Sequence, residues 1–217
     1  MNSALFSKLT AGPPKRVLDS ANLYQSNHMG SPTEITGITA RVESASNALL
    51  TLISTRSKKN QEMLDIKPFK QRATYCGPAA LKMVLDFYGV KKSEKELAKL
   101  AGHRPSTGVG AESLVKAARQ LGFRGAIKDF ASLDDIRKYV LRREIPVIVD
   151  WFSRDEGHYS VVADINKKYI YLQDPELAAI NKIDLKTFKR VWFDFPGDFL
   201  SSPDDLIIRR LIAIYPG

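Results

Sequence analysis

Cysteine and histidine are scarce in this sequence, and their scarcity excludes several classes of protein. The 217 residues include one cysteine and three histidines. A single cysteine cannot form an internal disulfide, so nothing calls for an oxidising compartment and we expect a cytoplasmic protein. The histidines, His28, His103 and His158, are dispersed and do not have the spacing of metal ligands. We therefore predict a protein with no metal and no cofactor.

Long apolar runs are also missing. No stretch approaches the ~18 uninterrupted apolar residues of a membrane-spanning helix. The N-terminus, MNSALFSKLTAGPPKR, lacks the basic start and apolar run of a signal peptide. With 44% hydrophobic and 26% charged residues, the chain can bury one sizeable core. We predict a soluble globular protein with neither export nor a membrane segment.

The net charge of +9 raises the question of a nucleic-acid partner. The positive residues are spread along the chain, and the clusters, such as RSKK at 56–59 and RR at 142–143, are short. They are not interleaved with the aromatic side chains on which bases would stack. This distribution indicates a solvated surface, and we predict no nucleic-acid partner.

The composition of the chain changes near residue 60. Before that point Ser, Thr, Asn, Gly and Pro are frequent, and only residues 38–53 have a partly amphipathic pattern that could form a helix. We predict an N-terminal extension over residues 1–60, which we expect to be mobile and removable by protease, and a single folded domain over residues 61–217.

Helices precede strands in the predicted domain, which indicates an α+β fold. Helix patterns begin at Gly77-Pro78, at a capping box formed by Ser93 and Glu96, and near residue 111. A further helix is predicted over 132–143 and a short one from Asp184. Strand patterns cover residues 123–130, 145–152, 158–165, 168–174 and 206–215.

The only cysteine lies in the segment QRATYCGPAALKMVL, residues 71–85, directly before a predicted helix. Unpaired N–H groups and the macrodipole at a helix N-terminus favour an anion, so the position of Cys76 favours the nucleophilic thiolate. A lone cysteine beside a helix is more often a small buried hydrophobic residue. The position alone leaves both interpretations open.

Two further residues fit a catalytic interpretation when they are taken together with Cys76. His158 begins the strand HYSVVADI, and Asp174 ends the strand that follows it. Antiparallel strands joined by a tight turn bring the start of the first beside the end of the second, so Asp174 can orient the His158 ring. Each residue alone could be structural. Jointly they match the roles of nucleophile, base and orienting acid in a Cys–His–Asp triad.

The segments QRATYCGPAALKMVL, GHYSVVADI and YIYLQDP resemble the catalytic blocks of papain-like cysteine peptidases of family C39, the double-glycine leader peptidases and their stand-alone relatives. The resemblance covers about residues 64–217. It implies a papain-like α+β fold in which a helical part carries the nucleophile and packs on an antiparallel sheet. It also implies Cys76 as nucleophile, His158 as general base and acid, and Asp174 as orienting residue.

The resemblance further implies that a glutamine before the cysteine donates to the oxyanion, and Gln71 is the candidate. Gln71 stands five residues before Cys76, one residue closer than is common in the family. The best-known members are fused to a membrane exporter with an ATPase. These 217 residues contain neither an exporter sequence nor an ATPase sequence. We therefore do not infer that this protein prefers substrates with a double-glycine motif.

The sequence therefore predicts a cysteine peptidase that cleaves a peptide or protein substrate through an acyl-enzyme intermediate. Two alternatives stay open. The same triad could perform another acyl transfer, such as cleavage of a non-peptide amide or transamidation, because the leaving group is not encoded in the triad. The chain could also be a binding module of the same fold that lacks activity.

Overall fold

The computed structural model describes residues 62–217. Five α-helices lie in this range: α1 (Cys76–Phe87), α2 (Glu94–Leu100), α3 (Ala111–Gln120), α4 (Leu133–Arg137) and α5 (Leu185–Val191). A π-helical turn, Lys138–Arg142, follows α4, and a short 3₁₀ helix spans Pro203–Asp205. The predicted extension over 1–60 and the helix pattern at 38–53 fall outside the described residues, and both stay predictions.

The strands form one large antiparallel sheet and a short ribbon. The sheet has six strands in the spatial order β1, β8, β2, β3, β4, β5. Their bounds are β1 (Phe123–Lys128), β2 (Val147–Ser153), β3 (Glu156–Ile165), β4 (Tyr169–Asp174), β5 (Ala179–Asp184) and β8 (Arg210–Pro216). The ribbon pairs β6 (Phe193–Asp194) with β7 (Ile207–Ile208).

Helices cover both faces of the sheet, because successive strand residues point to opposite sides. In β2, Ile148 packs into a core cluster with the buried residues of α1, α2 and α3. Its neighbours Val147 and Val149 point the other way, into a second cluster that includes Ile136 and Phe188. The helical part carrying Cys76 therefore packs on an antiparallel sheet. This confirms the predicted α+β class and papain-like architecture.

Helix α2 begins as the sequence predicts. The Ser93 side chain accepts the backbone N–H of Glu96, and the Glu96 carboxylate accepts the backbone N–H of Ser93. Such a box satisfies two of the N–H groups that lack partners in the first turn. The hydrogen bonds from Ser93 lower the pKa of Glu96 below its usual value.

Several elements differ from the prediction. Strand β5 is an edge strand with half-exposed and exposed residues, so it has no apolar signal. The predicted strand 206–215 is divided, because Arg209 adopts a positive φ of 50° between β7 and β8. Strand β3 starts at Glu156, two residues before the predicted start at residue 158, because Arg154 takes φ 59° in a tight turn that joins it to β2.

No helix in residues 62–217 is both long enough and apolar enough to cross a membrane.

Candidate active site

Cys76 is the first residue of α1 and is half-buried. The residue before it, Tyr75, makes no side-chain hydrogen bond to the helix end. The first-turn N–H groups therefore keep their positive field beside the sulfur. A Cβ on the next residue, Gly77, would collide with the Val109 side chain and crowd the Tyr159 ring, so glycine allows the close approach seen here. This close packing seats the start of α1 against the sheet.

His158 and Asp174 meet at the end of the sheet, as predicted from the antiparallel pairing of their strands. Strands β3 and β4 pair through Val161 and Gln173, which brings the start of one beside the end of the other. The His158 Nε2 lies 3.0 Å from the Asp174 Oδ1, and both side chains are only 2% exposed. The same carboxylate oxygen accepts the backbone N–H of Glu176 at 2.8 Å.

The protonation states of this pair follow from its contacts. Burial alone would lower the pKa of His158, but hydrogen bonds to Asp174 and Cys76 raise it to about 10. Burial alone would raise the pKa of Asp174, yet the hydrogen bond from His158 leads to a net decrease. At neutral pH the pair is an imidazolium and a carboxylate. With Nε2 directed at Asp174, Nδ1 is the second ring donor, and Cys76 lies within hydrogen-bonding reach of the ring.

The indole of Trp151 forms a wall beside the imidazole. Trp151 pairs with His158 across β2 and β3, and the two rings meet edge to face with centroids 6.0 Å apart. The indole N–H donates to the Ser160 hydroxyl at 3.1 Å. The indole is thus fixed at its polar end and restricts movement of the His158 ring.

Gln71 lies at the same end of the sheet. Its backbone N–H donates to the carbonyl of Pro175 at 2.9 Å, directly after Asp174. Its side-chain Oε1 is buried and has no hydrogen-bond partner among residues 62–217. A buried amide oxygen without a partner is costly. The structure therefore brings Gln71 to the end of the sheet where His158 and Asp174 meet.

Two residues that the sequence reasoning missed hold the turn between Gln71 and Cys76. The nearly buried carboxylate of Glu94 accepts the backbone N–H of Arg72 at 3.0 Å. The His103 Nε2 bonds the carbonyl of Thr74 at 2.8 Å, and its ring lies 4.1 Å from the Tyr75 ring. Thr74 itself has a positive φ of 65°. No periodicity or motif signals these contacts, because they join separate segments.

Removing the His103 contacts should weaken the turn. We expect His103→Ala to lower the free energy of unfolding by about 1–2 kcal/mol, because Thr74 keeps a strained backbone without its hydrogen-bond partner. Urea unfolding of the full chain measures the change, and Lys99→Ala at an exposed neighbouring position is the matched control. An unchanged free energy for His103→Ala would show that these contacts do not stabilise the turn.

One group of side chains within residues 62–217 has the geometry to hold a metal ion. Potential ligand atoms of His158, Asp174 and Glu176 lie within 4.8 Å of one another. However, His158 and Asp174 bond each other, and Glu176 pairs with Arg154 at 2.8 Å. These ligand atoms already have protein partners, which does not favour a resident metal. The expectation of a metal-free site stays a prediction.

The sequence model of the peptidase C39 family matches residues 67–195, more than half of the chain. The chain belongs to the peptidase C39 family. The matched segment contains Gln71, Cys76, His158 and Asp174. An uncharacterized protein of Methanothermobacter thermautotrophicus is 35% identical over 132 residues, which cover 60% of this chain and 83% of the relative. The lactococcin transport/processing ATP-binding protein LcnC-like of Lactococcus lactis is 32% identical over 54% of this chain and 16% of its own length.

Solved structures of C39 peptidase domains share this fold. The peptidase domain of Streptococcus ComA, a bifunctional ABC transporter of a quorum-sensing pathway, superposes with a TM-score of 0.55 at 23% identity, over 70% of this chain and 99% of that domain. A putative C39-like peptidase from Bacillus anthracis has a TM-score of 0.53 at 15% identity, over 71% of this chain and 97% of its own. The C39 family and these structures establish a cysteine-peptidase fold for the chain.

Proposed function

We propose that this protein is a cysteine peptidase that cleaves a peptide bond with Cys76, His158 and Asp174. The observation that carries the proposal is the buried His158–Asp174 pair, whose charged ring lies within reach of a cysteine at a helix N-terminus. An imidazolium and a helix dipole beside one sulfur both favour the thiolate, which is the reactive form of cysteine.

The proposed reaction begins with attack of the Cys76 thiolate on the carbonyl carbon of the substrate. The carbon–nitrogen bond then breaks, and the His158 imidazolium gives its proton to the leaving amine. The resulting thioester is hydrolysed by water, whose proton passes to the now neutral His158. Asp174 keeps the ring oriented and stabilises its charged form in both steps.

Gln71 is proposed to stabilise the oxyanion together with the backbone N–H of Cys76. Its support is position, because its backbone N–H is bonded to the carbonyl of Pro175 at the His158–Asp174 end of the sheet. Fixed donors aimed at developing negative charge lower the barrier without any reorganisation during the reaction.

A peptide is the substrate class that the comparisons support. A double-glycine motif protease from an AMS/PCAT transporter, solved in complex with a leader peptide, superposes on this chain with a TM-score of 0.53 at 21% identity, over 73% of this chain and 96% of that one. The leader peptide is the ligand of that protease. For this chain we propose a peptide or protein substrate, without assigning its sequence.

Digestion of a diverse peptide library by the full chain tests the proposal. Mass spectrometry should detect new peptide termini with the wild-type protein and none with Cys76→Ala, since only the former carries the nucleophile. Identical peptide patterns for the two proteins would contradict the peptidase proposal. A library with defined residues on both sides of the cleaved bond would also report the specificity.

Loss of the Gln71 amide should slow catalysis without unfolding the protein. We expect Gln71→Ala to reduce kcat by about 10²–10³-fold, the usual effect of removing one oxyanion donor. Gln120→Ala, at an exposed position on α3, is the matched control and should leave kcat unchanged. If Gln71→Ala retains the wild-type kcat, Gln71 is not the oxyanion donor, while the assignment of the other three residues stands.

A further inference from the structure

A second pair of carboxyl groups lies outside the Cys–His–Asp arrangement. Asp150 in β2 is only 1% exposed, and neither of its carboxyl oxygens has a fixed hydrogen-bond donor among residues 62–217. The groups that face it are the carboxyl of Asp194 in β6, the hydroxyl of Tyr159 in β3 and the guanidinium of Arg210 in β8. A buried acid without a fixed donor requires an explanation.

Burial and the mutual repulsion of Asp150 and Asp194 oppose ionisation of both carboxyl groups together. Burial and the neighbouring charge of Asp194 raise the pKa of Asp150 well above its usual value. Burial also raises the pKa of Asp194, although its Oδ1 accepts the backbone N–H of Phe195 at 2.8 Å. Since ionisation of both buried acids is opposed, the pair retains one proton between its two carboxyl groups.

The nearby positive charge cannot replace this proton. Arg210 makes two hydrogen bonds to Asp129, at 2.7 and 2.9 Å, and lies 4.0 Å from a carboxylate oxygen of Glu112. Its charge is therefore divided among several acids. Burial raises the pKa of Tyr159 well above its usual value, so this hydroxyl stays neutral. A second negative charge at Asp150 would remain largely uncompensated.

The carboxyl pair is joined directly to the strand that carries His158. The Asp194 carboxyl approaches Gly157 so closely that any larger residue at this position would collide with it. Gly157 is the residue before His158. On the other side of the contact, the Phe152 ring stacks on Phe193 at 5.3 Å and on Phe195 at 5.4 Å. Strand β6 is thus fixed against the ends of β2 and β3 by one polar and one aromatic contact.

We propose that Asp150 and Asp194 are positioning residues, and that one proton shared between their carboxyl groups fixes β6 against Gly157 and thereby orients His158. This inference rests on the proposed function of His158 for its effect on catalysis. Loss of the shared proton would place two negative charges side by side and separate β6 from Gly157. Folding raises the affinity of the Asp150–Asp194 pair for a proton. The protonated pair therefore stabilises the fold fully at low pH, and this stabilisation is lost as the pH rises above the usual pKa of an aspartate.

The test observes the imidazole and does not depend on turnover. In the full chain, NMR of ¹⁵N-labelled histidine detects the His158 Nε2–H that is bonded to Asp174, assigned by its disappearance in His158→Gln. We expect Asp194→Ala to lose or shift this resonance already at pH 7. We expect Asp150→Asn to retain it at pH 7 and at higher pH than the wild type, since an amide N–H donates to Asp194 without titrating.

The control is Asp155→Asn, an exposed position in the turn of the same hairpin, which should behave as the wild type. If Asp194→Ala does not fold, Asp194→Asn serves instead and should also extend the pH range, because it removes the second carboxyl. An unchanged resonance in Asp194→Ala, or the same pH limit in the wild type and Asp150→Asn, overturns the proposal. If the protein hydrolyses no peptide, the proposed function is refuted, but the effect of the Asp150 and Asp194 variants on the His158 resonance still stands.

Discussion

Replacing Cys76 by alanine should reduce peptide hydrolysis by about 10⁶-fold, because the acyl-enzyme cannot form. The helix start that carries Cys76 should remain folded, since the side chain is half-buried and packs at the edge of the core. Rates are measured with a fluorogenic peptide chosen from the library products. Cys76→Ser is the matched variant of similar size, and it should lose most of the activity because a hydroxyl is not ionised in this setting.

The residues of the triad should act as a unit. His158→Ala alone should be nearly as damaging as Cys76→Ala, and the double variant should lose little more than either single variant. Losses that multiply in the double variant would mean that the two residues act independently, which contradicts the proposed proton transfer between substrate and His158.

Replacing Asp174 by asparagine should reduce kcat by about 10⁴-fold, because the carboxylate no longer stabilises the charged ring and its tautomer. The amide can still accept a hydrogen bond from Nε2, so the protein should fold. Asp164→Asn, in the strand β3 that pairs with β4, is the control for the same chemical change. Wild-type turnover by Asp174→Asn would show that Asp174 only ends its strand, and another residue would have to orient His158.

The same variant should change how stability depends on pH. Because the pKa of His158 is raised to about 10, pairing with Asp174 stabilises the fold fully below pH ~6.5, the pKa of a histidine in the unfolded chain. This stabilisation is lost as the pH rises through 10. Because the pKa of Asp174 is lowered, its carboxylate stabilises the fold above pH ~4, the pKa of an aspartate in the unfolded chain. This stabilisation is lost in acid. Urea unfolding should therefore show the largest difference between wild type and Asp174→Asn at pH 5–6, about 3 kcal/mol, and a smaller one near pH 10.

Much of the site could be predicted from the sequence because its signals are local. Cys76 precedes a Gly-Pro helix start, and His158 and Asp174 stand at the ends of two adjacent strands with clear apolar patterns. A tight turn fixes which ends meet: Asn166 accepts the backbone N–H groups of Lys168 and Tyr169 at 2.8 Å each. The 3.0 Å contact between His158 and Asp174 follows from that turn.

The contacts around the site could not be predicted, because they join segments that are distant in sequence. Nothing in the sequence VIVDWF indicates that Asp150 meets Asp194, and β6 has only two residues. Nothing in the sequence around Glu94 indicates that its carboxylate accepts the backbone N–H of Arg72, which lies 22 residues earlier in the chain. Strand β5 was missed for a related reason, since it is defined by pairing with β4 and not by an apolar pattern of its own.

The rate at which iodoacetamide labels Cys76 at pH 6 tests the central claim most directly, because an ordinary thiol, with a pKa of ~8.5, is almost wholly protonated there. Cys76 is the only cysteine, so intact mass reports this site alone. We expect rapid labelling of the folded wild type and clearly slower labelling of His158→Ala, since the imidazolium that favours the thiolate is then missing. Slow labelling of the wild type that accelerates only on unfolding would identify Cys76 as a structural residue and contradict the account.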